Sequence, residues 1–478
     1  MNKKEVEKLK KHLFKKDRLV WDELSETEMD KAFTLAEDYK DFLNRSKTER
    51  EAARAIVARA EENGFVSMES LLEQVKQKQD LVKPGQKVYS VFKEKCVALA
   101  VVGKNPLEKG MNLIASHIDS PRLDLKQNPV YEDTDLALLK THYYGGIRKY
   151  QWMSVPLALH GSIVRADGSV VDVKIGEEAD DPVFVVSDLL PHLAGKIQEE
   201  KKLSDAFEGE KLNLIAGSIP LGSDGVSDRF KLGLLNHFHQ KYAIVEADFV
   251  SAELEAVPAA KARDIGLDRA LVGAYGQDDR ICAFTELVAL LETKSPRRTA
   301  LGLFFDKEEI GSEGNTGAQT AFMEDFISDL ILLTTGRVDS QTLRRAIINT
   351  SALSGDVNAA MDPDFKEVHE KMNAAKTGYG VCITKFTGAR GKSGSSDASA
   401  EFVGKIRALF DKNKIVWQTG ELGKIDLGGG GTLAKFLALK GMDILDCGPA
   451  VLSMHSPFEI ASKADIYMTY KGFHAFYA

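Results

Sequence analysis

Side chains that can bind metal ions occur in four short stretches that lie far apart in this chain. The stretches are Ser116-His117-Ile118-Asp119, Gln277-Asp278-Asp279, Glu308-Glu309-Ile310-Gly311 and Ser453-Met454-His455-Ser456. Together they offer two imidazoles, several carboxylates and a spare glutamate, which is the set that a two-metal hydrolase requires. A fold that uses this set must bring four remote segments to one place, and that requirement restricts the architecture more than any other feature.

The size and charge of the chain allow such a fold. Its 478 residues are enough for two domains, or for one large domain with an insertion. A net charge of −8 does not favour nucleic acid as a partner. No window has the roughly 18 apolar residues of a membrane span, and the start, rich in lysine and glutamate, has no signal-peptide core.

The four cysteines are widely scattered, at Cys96, Cys282, Cys382 and Cys447, and form no Cys-x-x-Cys pair. The sequence therefore predicts neither a thiolate zinc site nor a redox pair. Isolated cysteines of this kind are typical of a reducing compartment. We expect a cytoplasmic protein without a nucleic-acid or membrane partner.

The first part of the chain, residues 1–128, has the pattern of an α/β domain. Ser46-Lys47-Thr48-Glu49 is typical of a capping box that begins a helix. Continuous apolar runs over Cys96–Val102 and Leu113–Ala115 predict two buried strands, and the second leads directly into His117.

The pattern changes at about residue 129 and changes back at about residue 262. Residues 129–261 are rich in alternating segments, with a hairpin signal at Asp167-Gly168. In residues 262–478 the predicted strands are Ala300–Phe305 and Ala346–Ile348, and a helix is predicted over Ile281–Leu291. The sequence therefore predicts one α/β domain that a β-rich insertion interrupts.

Several of the candidate ligands follow predicted strands. His117, the Glu308-Glu309 pair and Asp356 each come shortly after one. Ligands of open α/β sheets gather in the crevice beyond the carboxyl ends of the strands, so these residues can converge there. A single histidine or aspartate after a strand is more often ordinary turn chemistry, and the interpretation depends on the whole set.

His117 and Asp119 are spaced as a metal ligand and its hydrogen-bond partner. An imidazole that binds metal through one nitrogen donates its other N–H to an acceptor, and a nearby carboxylate fixes the ring orientation. Asp119 is the candidate for that task. The alternative is a loop histidine followed by a capping aspartate.

Asp278 and Asp279 precede the predicted helix near Ile281. A carboxylate can supply one oxygen to each of two metal ions that lie roughly 3.5–4 Å apart. The alternative is that these aspartates only cap the helix.

Glu308 and Glu309 end a strongly apolar strand. Adjacent carboxylates at such a place are costly unless a positive charge lies nearby. One glutamate can bind metal while its neighbour accepts a proton from water, although a solvated pair is the usual alternative. Asp356 and His455 complete a set of two histidines and three carboxylates, which suits zinc, manganese or cobalt.

With these residues the chain resembles the family of aspartyl aminopeptidases and vacuolar aminopeptidase I. The resemblance covers most of the chain, and the order and spacing of its motifs are specific. The motifs are Ser46–Glu49, Ser116–Arg122, Pro191-His192-Leu193-Ala194, Asp306–Ser312 and Leu452–Ser456. It implies a mixed-sheet α/β/α catalytic domain of the zinc aminopeptidase type, interrupted by a smaller β-rich dimerisation domain.

The resemblance also implies an activity, which is the removal of N-terminal residues from peptides by a pair of metal ions. The implied ions are divalent, with zinc first and cobalt or manganese as alternatives. One would be held by His117, Asp278 and Asp356, and the other by Asp278, Glu309 and His455. Glu308 would be the general base and later the general acid, and Asp119 would orient His117.

Two further expectations rest on the resemblance alone. His192 matches a histidine that stabilises the tetrahedral intermediate and comes from a neighbouring subunit. The inserted domain is expected to mediate dimerisation, and the dimers are expected to assemble into a homododecamer with an enclosed chamber.

The sequence departs from the family pattern where acidic substrates are recognised. Members that cut acidic N-termini carry a lysine in a glycine-led strand, and here Thr384 takes that place, with Lys385 one residue later. A one-residue offset on a strand points a side chain to the opposite face. The choice between acidic and neutral N-terminal residues therefore stays open. Asp279 also replaces an asparagine that some members have.

The glycine tract Gly428–Thr432 has two interpretations. It lacks the Lys-Ser/Thr ending of a P-loop, and we expect a loop beside the active site. Two alternative functions are a related two-metal amide hydrolase, either a deacylase or a carboxypeptidase, and a noncatalytic assembly protein of the same fold.

Overall fold

The computed structural model describes residues 1–76 and 82–478. The helices of this part are α1 Lys3–Leu13, α2 Val20–Glu23, α3 Glu26–Arg45, α4 Glu49–Glu62, α5 Met68–Lys76, α6 Pro191–Ala194, α7 Leu203–Ala206, α8 Arg229–Tyr242, α9 Gln277–Glu292, α10 Phe322–Thr335, α11 Ser340–Ile348, α12 Ala400–Lys412, α13 Leu433–Ala438 and α14 Lys463–Tyr477. Each of them is too short or too polar to cross a bilayer.

The strands of the described residues fall into three larger sheets and one small ribbon. They are β1 Val66–Ser67, β2 Lys87–Phe92, β3 Cys96–Val101, β4 Asn112–His117, β5 Arg122–Asp133, β6 Leu136–Tyr144, β7 Leu157–Val164, β8 Val170–Ile175, β9 Leu214–Gly217, β10 Ala252–Pro258, β11 Arg263–Ile265, β12 Leu271–Ala274, β13 Ala300–Phe305, β14 Ser351–Ser354, β15 Asn358–Ala359, β16 Val381–Thr384, β17 Gly388–Ala389, β18 Trp417–Thr419, β19 Gly429–Gly430, β20 Asp443–Gly448, β21 Ala450–Leu452 and β22 Glu459–Ser462.

The largest sheet has nine strands in the order β1-β2-β3-β13-β4-β14-β20-β16-β18. Its centre is parallel, from β13 through β4 and β14 to β20, whereas β3 and β16 are antiparallel to their inner neighbours. The continuous apolar runs of β3 and β13 are buried at every position. This is the pattern expected of strands that are covered on both faces.

Helices cover both faces of this sheet, which gives three layers. Alternate residues of β3 point to opposite sides, so Val97 and Leu99 belong to one core and Ala98 and Ala100 to the other. The first core includes α3, α4, α9, α12 and α14. The second includes α10, α11 and α13. The predicted α/β class with a mixed sheet is confirmed.

One predicted strand is wrong. Ala346–Ile348 forms the end of helix α11, and the strand begins three residues later, at Ser351. The three apolar residues are part of a helical stripe in which Ala346 and Ile347 are buried. The helix is fixed at its start by Asp339, whose side chain accepts hydrogen bonds from two backbone N–H groups.

A second sheet contains the antiparallel strands β8-β7-β10-β5-β6-β9, all from residues 122–258. It has its own apolar core, to which Phe238 of α8 contributes. The predicted hairpin at Asp167-Gly168 joins β7 to β8, and Gly168 has a φ of +82°. Strand β5 of this sheet begins at Arg122. The division of the chain into domains at residues 1–128, 129–261 and 262–478 stays a prediction.

The predicted capping box at Ser46–Glu49 does not form, and helix α4 begins at Glu49 with a simple N-cap. The N-cap of α4 is Thr48, whose side chain accepts a hydrogen bond from the N–H of Glu51. The hydroxyl of Ser46 donates instead to the carbonyl of Phe42 in α3. Lys47 and Glu49 at this helix start are buried, and each forms an ion pair. Lys47 pairs with Glu177, and Glu49 pairs with Lys95.

These ion pairs belong to a group that we call the junction cluster. Lys47 Nζ lies 2.6 Å from Glu177, and His160 lies between Glu177 and Glu51 at 3.1 and 2.9 Å. Glu49 and Glu255 form ion pairs with the buried Arg122, and Glu49 also pairs with Lys95. The junction cluster consists of Lys47, Glu49, Glu51, Lys95, Arg122, His160, Glu177 and Glu255.

Candidate metal centre

The candidate ligands meet at the carboxyl ends of the central parallel strands. His117 is the last residue of β4, and in the parallel pairing it lies opposite Phe305 of β13. Glu308 and Glu309 form a single 3-10 turn just after β13. Asp356 follows two residues after the end of β14. These side chains therefore converge at the edge of the sheet where the sequence predicted them.

Asp278 reaches the same place from the start of α9. Gly276, with a φ of +73°, turns the chain from β12 into this helix, and a Cβ there would meet the Arg280 side chain. Asp278 and Asp279 have non-helical backbone angles and are buried. Asp279 is not among the side chains that come close enough together to hold a metal ion.

The two oxygens of the Asp278 carboxylate face different histidines. Oδ1 lies 3.3 Å from Nε2 of His117, and Oδ2 lies 3.1 Å from Nε2 of His455. His455 Nε2 is also 3.4 Å from Glu309. The side chain therefore stands between two imidazoles as a bridging ligand does.

Two groups of ligand atoms follow from this arrangement. His117, Asp278 and Asp356 form one, and Asp278, Glu309 and His455 form the other, with the atoms of each group within 4.8 Å of one another. All five predicted ligands are thus brought together, and Asp278 is shared. We call these five residues the ligand cluster.

The outer nitrogen of each histidine has its own partner. His117 Nδ1 lies 3.1 Å from the backbone carbonyl oxygen of Asp119 and 3.2 Å from Oδ1 of the same residue, and His455 Nδ1 lies 2.8 Å from the carbonyl oxygen of Gly146. These contacts direct both Nε2 atoms towards the shared carboxylate. The predicted contact of Asp119 with His117 is present, whereas Gly146 was missed by sequence reasoning.

Asp119 holds more than the histidine. Its carboxylate accepts hydrogen bonds from the backbone N–H groups of Glu308 and Glu309, both at 3.2 Å, and from the hydroxyl of Tyr144 at 2.7 Å. Tyr144 ends β6 in the second sheet, and its ring lies 4.0 Å from the guanidinium of Arg122. Tyr144 was also missed, because no local pattern links a strand end to a site that another sheet carries.

Glu459 is the third residue that sequence reasoning missed. One of its oxygens accepts from the N–H of His455 at 2.7 Å, and the other accepts from Gln277 N at 2.6 Å and Asp278 N at 3.1 Å. The pairing of Glu459 with Ala274 in β22 and β12 brings it there. Its place four residues after His455 is the one signal that the sequence offered.

The ligand cluster has an excess of buried negative charge. Burial raises the pKa values of Glu309 and Asp356 well above the ordinary carboxyl range, and the neighbouring carboxylates add to this effect. Burial disfavours the charged form of His455, but Asp278 and Glu309 outweigh it and raise its pKa to about 10. Within the described residues, no lysine or arginine forms an ion pair with the cluster.

These features suit bound cations. Glu309 Oε1 is buried and has no hydrogen-bond partner within residues 1–76 and 82–478. Two imidazole nitrogens and the carboxylate oxygens are donors that zinc, cobalt and manganese accept. A divalent cation would favour the ionised carboxylates that burial disfavours. The residues therefore fit a pair of divalent ions.

Comparison with known proteins assigns the chain to a family. Residues 42–477 match the family model described as "Aminopeptidase I zinc metalloprotease (M18)". The chain belongs to the M18 aminopeptidase family. It is therefore a metallo-exopeptidase that hydrolyses peptide bonds, and the predicted resemblance is confirmed.

Individual relatives agree with this assignment. A probable M18 family aminopeptidase 1 of Clostridium acetobutylicum is 49% identical over 464 residues, which cover 97% of this chain and 98% of the relative. The crystal structure of an M18 aminopeptidase from Thermotoga maritima is 44% identical and has a TM-score of 0.91, with 97% and 99% of the two chains covered. The structure of the yeast mApe1 dodecamer shares the fold, with a TM-score of 0.73, 20% identity and coverage of 92% and 95%.

In this M18 chain the residues of the ligand cluster except His117 line a pocket of about 760 Å³. The lining also includes Thr384 and residues 429–432 of the glycine tract, which was expected beside the active site. Lys385 is exposed and is not among the lining residues. Thr384 therefore faces the pocket and Lys385 does not, as the one-residue offset between them on the strand predicts.

His192 lies outside this pocket in its own chain. It is exposed on the short helix α6, between the exposed residues Leu190 and Leu193. The structure does not bring it to the five ligands of the same chain.

Proposed function

We propose that the ligand cluster holds two divalent metal ions, with zinc first and cobalt or manganese as alternatives. His117, Asp278 and Asp356 would hold one ion, and Asp278, Glu309 and His455 the other. The observation that carries this proposal is the Asp278 carboxylate, whose two oxygens face different histidines at 3.3 and 3.1 Å. When bound, such ions polarise the peptide carbonyl and acidify a water molecule.

In this proposal Glu308 moves the proton. It lines the pocket beside the ligands, with Oε2 3.9 Å from His117 Nε2, and its backbone is held by Asp119. Burial raises the pKa of Glu308 to about 7, with Asp119 and Asp278 adding to the rise and His117 opposing it. Its carboxylate accepts the proton of the attacking water and then delivers it to the leaving amine. Asp119 positions His117 and both glutamates for these steps.

The proposed substrates are peptides with a free N-terminus in the cytoplasm. The scattered cysteines, all four of them unpaired and buried, are compatible with a reducing compartment. Thr384 in place of a lysine removes one cationic side chain from the pocket wall, so acidic N-terminal residues are not favoured by this position.

We further propose that the chain is a homo-oligomer, built from dimers and reaching a dodecamer as the relative in yeast does. His192 would then enter the pocket of a neighbouring subunit and stabilise the tetrahedral intermediate. Its exposure between Leu190 and Leu193, outside its own pocket, supports this role. Sedimentation of the purified protein measures the assembly, and a monomer with full activity would contradict the proposal.

The central experiment is the variant Glu308→Gln. A general base contributes roughly 10²–10⁴-fold to the rate, so kcat for leucyl anilide is expected to fall by that factor. Metal content, measured by atomic emission, is expected to stay at two ions per chain. The matched control is Glu313→Gln, an exposed glutamate at the same pocket, which is expected to retain activity. Undiminished kcat in Glu308→Gln would refute the assigned role.

A further inference from the structure

A buried carboxylate that is not part of the ligand cluster lines the same pocket. Asp446 is 3% exposed in β20 and lines the same pocket as Glu308 and His455. Within residues 1–76 and 82–478 no lysine, arginine or histidine pairs with either oxygen, and the hydroxyls of Thr432 and Ser354 lie beside them outside good hydrogen-bond geometry. A buried carboxylate without a counter-ion is costly, and a bound ligand, an ion or a water molecule is what relieves such a cost.

The strands beside Asp446 supply no positive charge. Ser354 of β14 and Thr384 of β16 lie directly opposite it in the paired strands, so the three side chains share one face of the sheet. Thr384 already accepts a hydrogen bond from Asn358 at 2.9 Å. Of the residues that line the pocket, Lys435 is the one with a lysine or arginine side chain; it is exposed and its Nζ lies over Phe436.

The oxygens around Asp446 extend this acceptor-rich wall. Within the described ranges, the buried oxygens of Ser354, Asn358 and Thr432 also have atoms without a hydrogen-bond partner. Burial raises the pKa of Asp446 to about 6, although the nearby hydroxyls of Thr432 and Ser354 oppose the rise. These two hydroxyls favour the ionised carboxylate with which a cationic ligand would pair.

The distance from the ligand cluster suits a long side chain. Asp446 lies in the strand next to Ser354, and Ser354 comes two residues before the ligand Asp356. With strands about 4.8 Å apart and a rise of about 3.3 Å per residue, the Cα atoms of Asp446 and Asp356 are roughly 8 Å apart. Lysine and arginine carry their charge at the end of a chain of this length.

We propose that Asp446 binds the positively charged side chain of an N-terminal lysine or arginine, so that the pocket selects basic N-terminal residues. The inference rests on the proposed aminopeptidase site and names its substrate class. The charged side chain would fill the place that the unpartnered oxygens leave, with Asp446 as its counter-ion.

The test compares lysyl, arginyl, norleucyl and aspartyl anilides by kcat/KM. Norleucine matches the aliphatic part of lysine without its charge. A hydrogen bond to a charged group stabilises by about 1.5–3 kcal/mol, which is roughly a 10- to 100-fold preference for lysyl over norleucyl anilide. Asp446→Asn is expected to bring that ratio towards one.

A second variant leaves Asp446 in place. Thr384→Lys puts an ammonium group directly opposite the carboxylate, and it is expected to remove the lysyl preference and to raise the rate with aspartyl anilide. Thr384→Met adds similar bulk without charge and is expected to keep the preference. This pair decides the question even where Asp446→Asn fails to fold.

Equal kcat/KM for lysyl and norleucyl anilides in the unaltered protein would overturn the inference, as would an unchanged ratio in Thr384→Lys. Failure to hydrolyse any anilide would instead contradict the proposed function. Calorimetric binding of L-lysinamide against L-norleucinamide to the metal-loaded protein then measures the preference without turnover. Equal affinities there would overturn the inference independently.

Discussion

Two clusters of buried charge lie close together in this molecule, and they are balanced in different ways. In the junction cluster every carboxylate has a basic side chain within 3.2 Å, as Glu49 has Lys95 and Arg122. In the ligand cluster three carboxylates share two histidines and have no lysine or arginine partner within the described residues. The first group is neutralised by basic side chains of the chain itself, whereas the second would be balanced by bound cations.

The difference indicates where a ligand is needed. A buried charge that the chain itself neutralises contributes to the packing of one element on another. A buried carboxylate without a charged partner is costly, and either protonation or a bound cation relieves that cost. Asp446 belongs to the second kind, on a smaller scale than the ligand cluster. The ring of Tyr144 joins the two regions, since it contacts Arg122 on one side and Asp119 on the other.

The largest expected effect breaks the junction cluster. Lys47→Met leaves Glu177 without its 2.6 Å partner, and Lys47 is 3% exposed. Removing one partner of a buried pair costs about 3–5 kcal/mol, so the free energy of unfolding by urea is expected to fall by that amount. Metal content at 20 °C is expected to be unchanged, because no ligand is touched.

The control for Lys47 is Lys174→Met. Lys174 lies 3.5 Å from Glu51 but is half exposed, and a pair of this kind contributes about 0–1 kcal/mol. Equal losses of stability in the two variants would contradict the expected difference between the buried ion pair of Lys47 and the half-exposed ion pair of Lys174. Loss of metal in Lys47→Met would show that the two clusters are not separate.

An intermediate effect is expected at Glu459, whose carboxylate hydrogen-bonds to the backbone of two residues of the ligand cluster. Glu459→Gln replaces an acceptor of three backbone N–H bonds, including those of His455 and Asp278. Changes around metal ligands typically weaken metal binding by about 10–100-fold. Competition with a chromogenic chelator measures the dissociation constant, and the cobalt-loaded protein is expected to have an altered visible spectrum.

Asp465→Asn is the matched control for Glu459. Asp465 is also a buried carboxylate that accepts two backbone N–H bonds, from Gly378 and Gly380, both at 2.7 Å, and it is not part of either ligand group. It is expected to lose stability while metal affinity stays the same. If both variants weaken metal binding equally, the positioning role of Glu459 is wrong.

The smallest effect is a pH dependence at the junction cluster. Burial disfavours protonation of His160, but hydrogen bonds to Glu177 and Glu51 outweigh it and raise its pKa. A raised pKa stabilises the fold fully below the unfolded value of about 6.5, and this stability is lost as the pH rises through the folded value. His160→Gln is expected to flatten that loss, which is of the order of 1 kcal/mol.

Urea unfolding at a series of pH values above 6 measures this slope. His142→Gln removes an exposed histidine of the same sheet and is expected to keep the slope of the unaltered protein. A slope that His160→Gln leaves in place would assign the pH dependence to other groups.

Much of the fold could be predicted because its signals are local. The apolar runs of β3 and β13 are long enough to fix buried strands, and the alternation after residue 129 distinguishes the second sheet. Ala346–Ile348 was assigned wrongly, because three apolar residues fit a strand and a helical stripe equally well. The start of α4 was predicted two residues early, since Ser46 and Thr48 both carry a hydroxyl group that can cap a helix.

The sequence by itself determined which side chains could form a metal site, because imidazole and carboxylate groups are metal ligands, and their positions after strands indicated where they would meet. Only the tertiary structure decided which groups support them and which are left unpaired. Glu459, Tyr144 and Gly146 reach the ligands through pairings between strands or sheets that no local pattern encodes. Asp446 is an ordinary aspartate in the sequence, and it becomes a candidate for substrate recognition because its neighbours across the strands carry no positive charge.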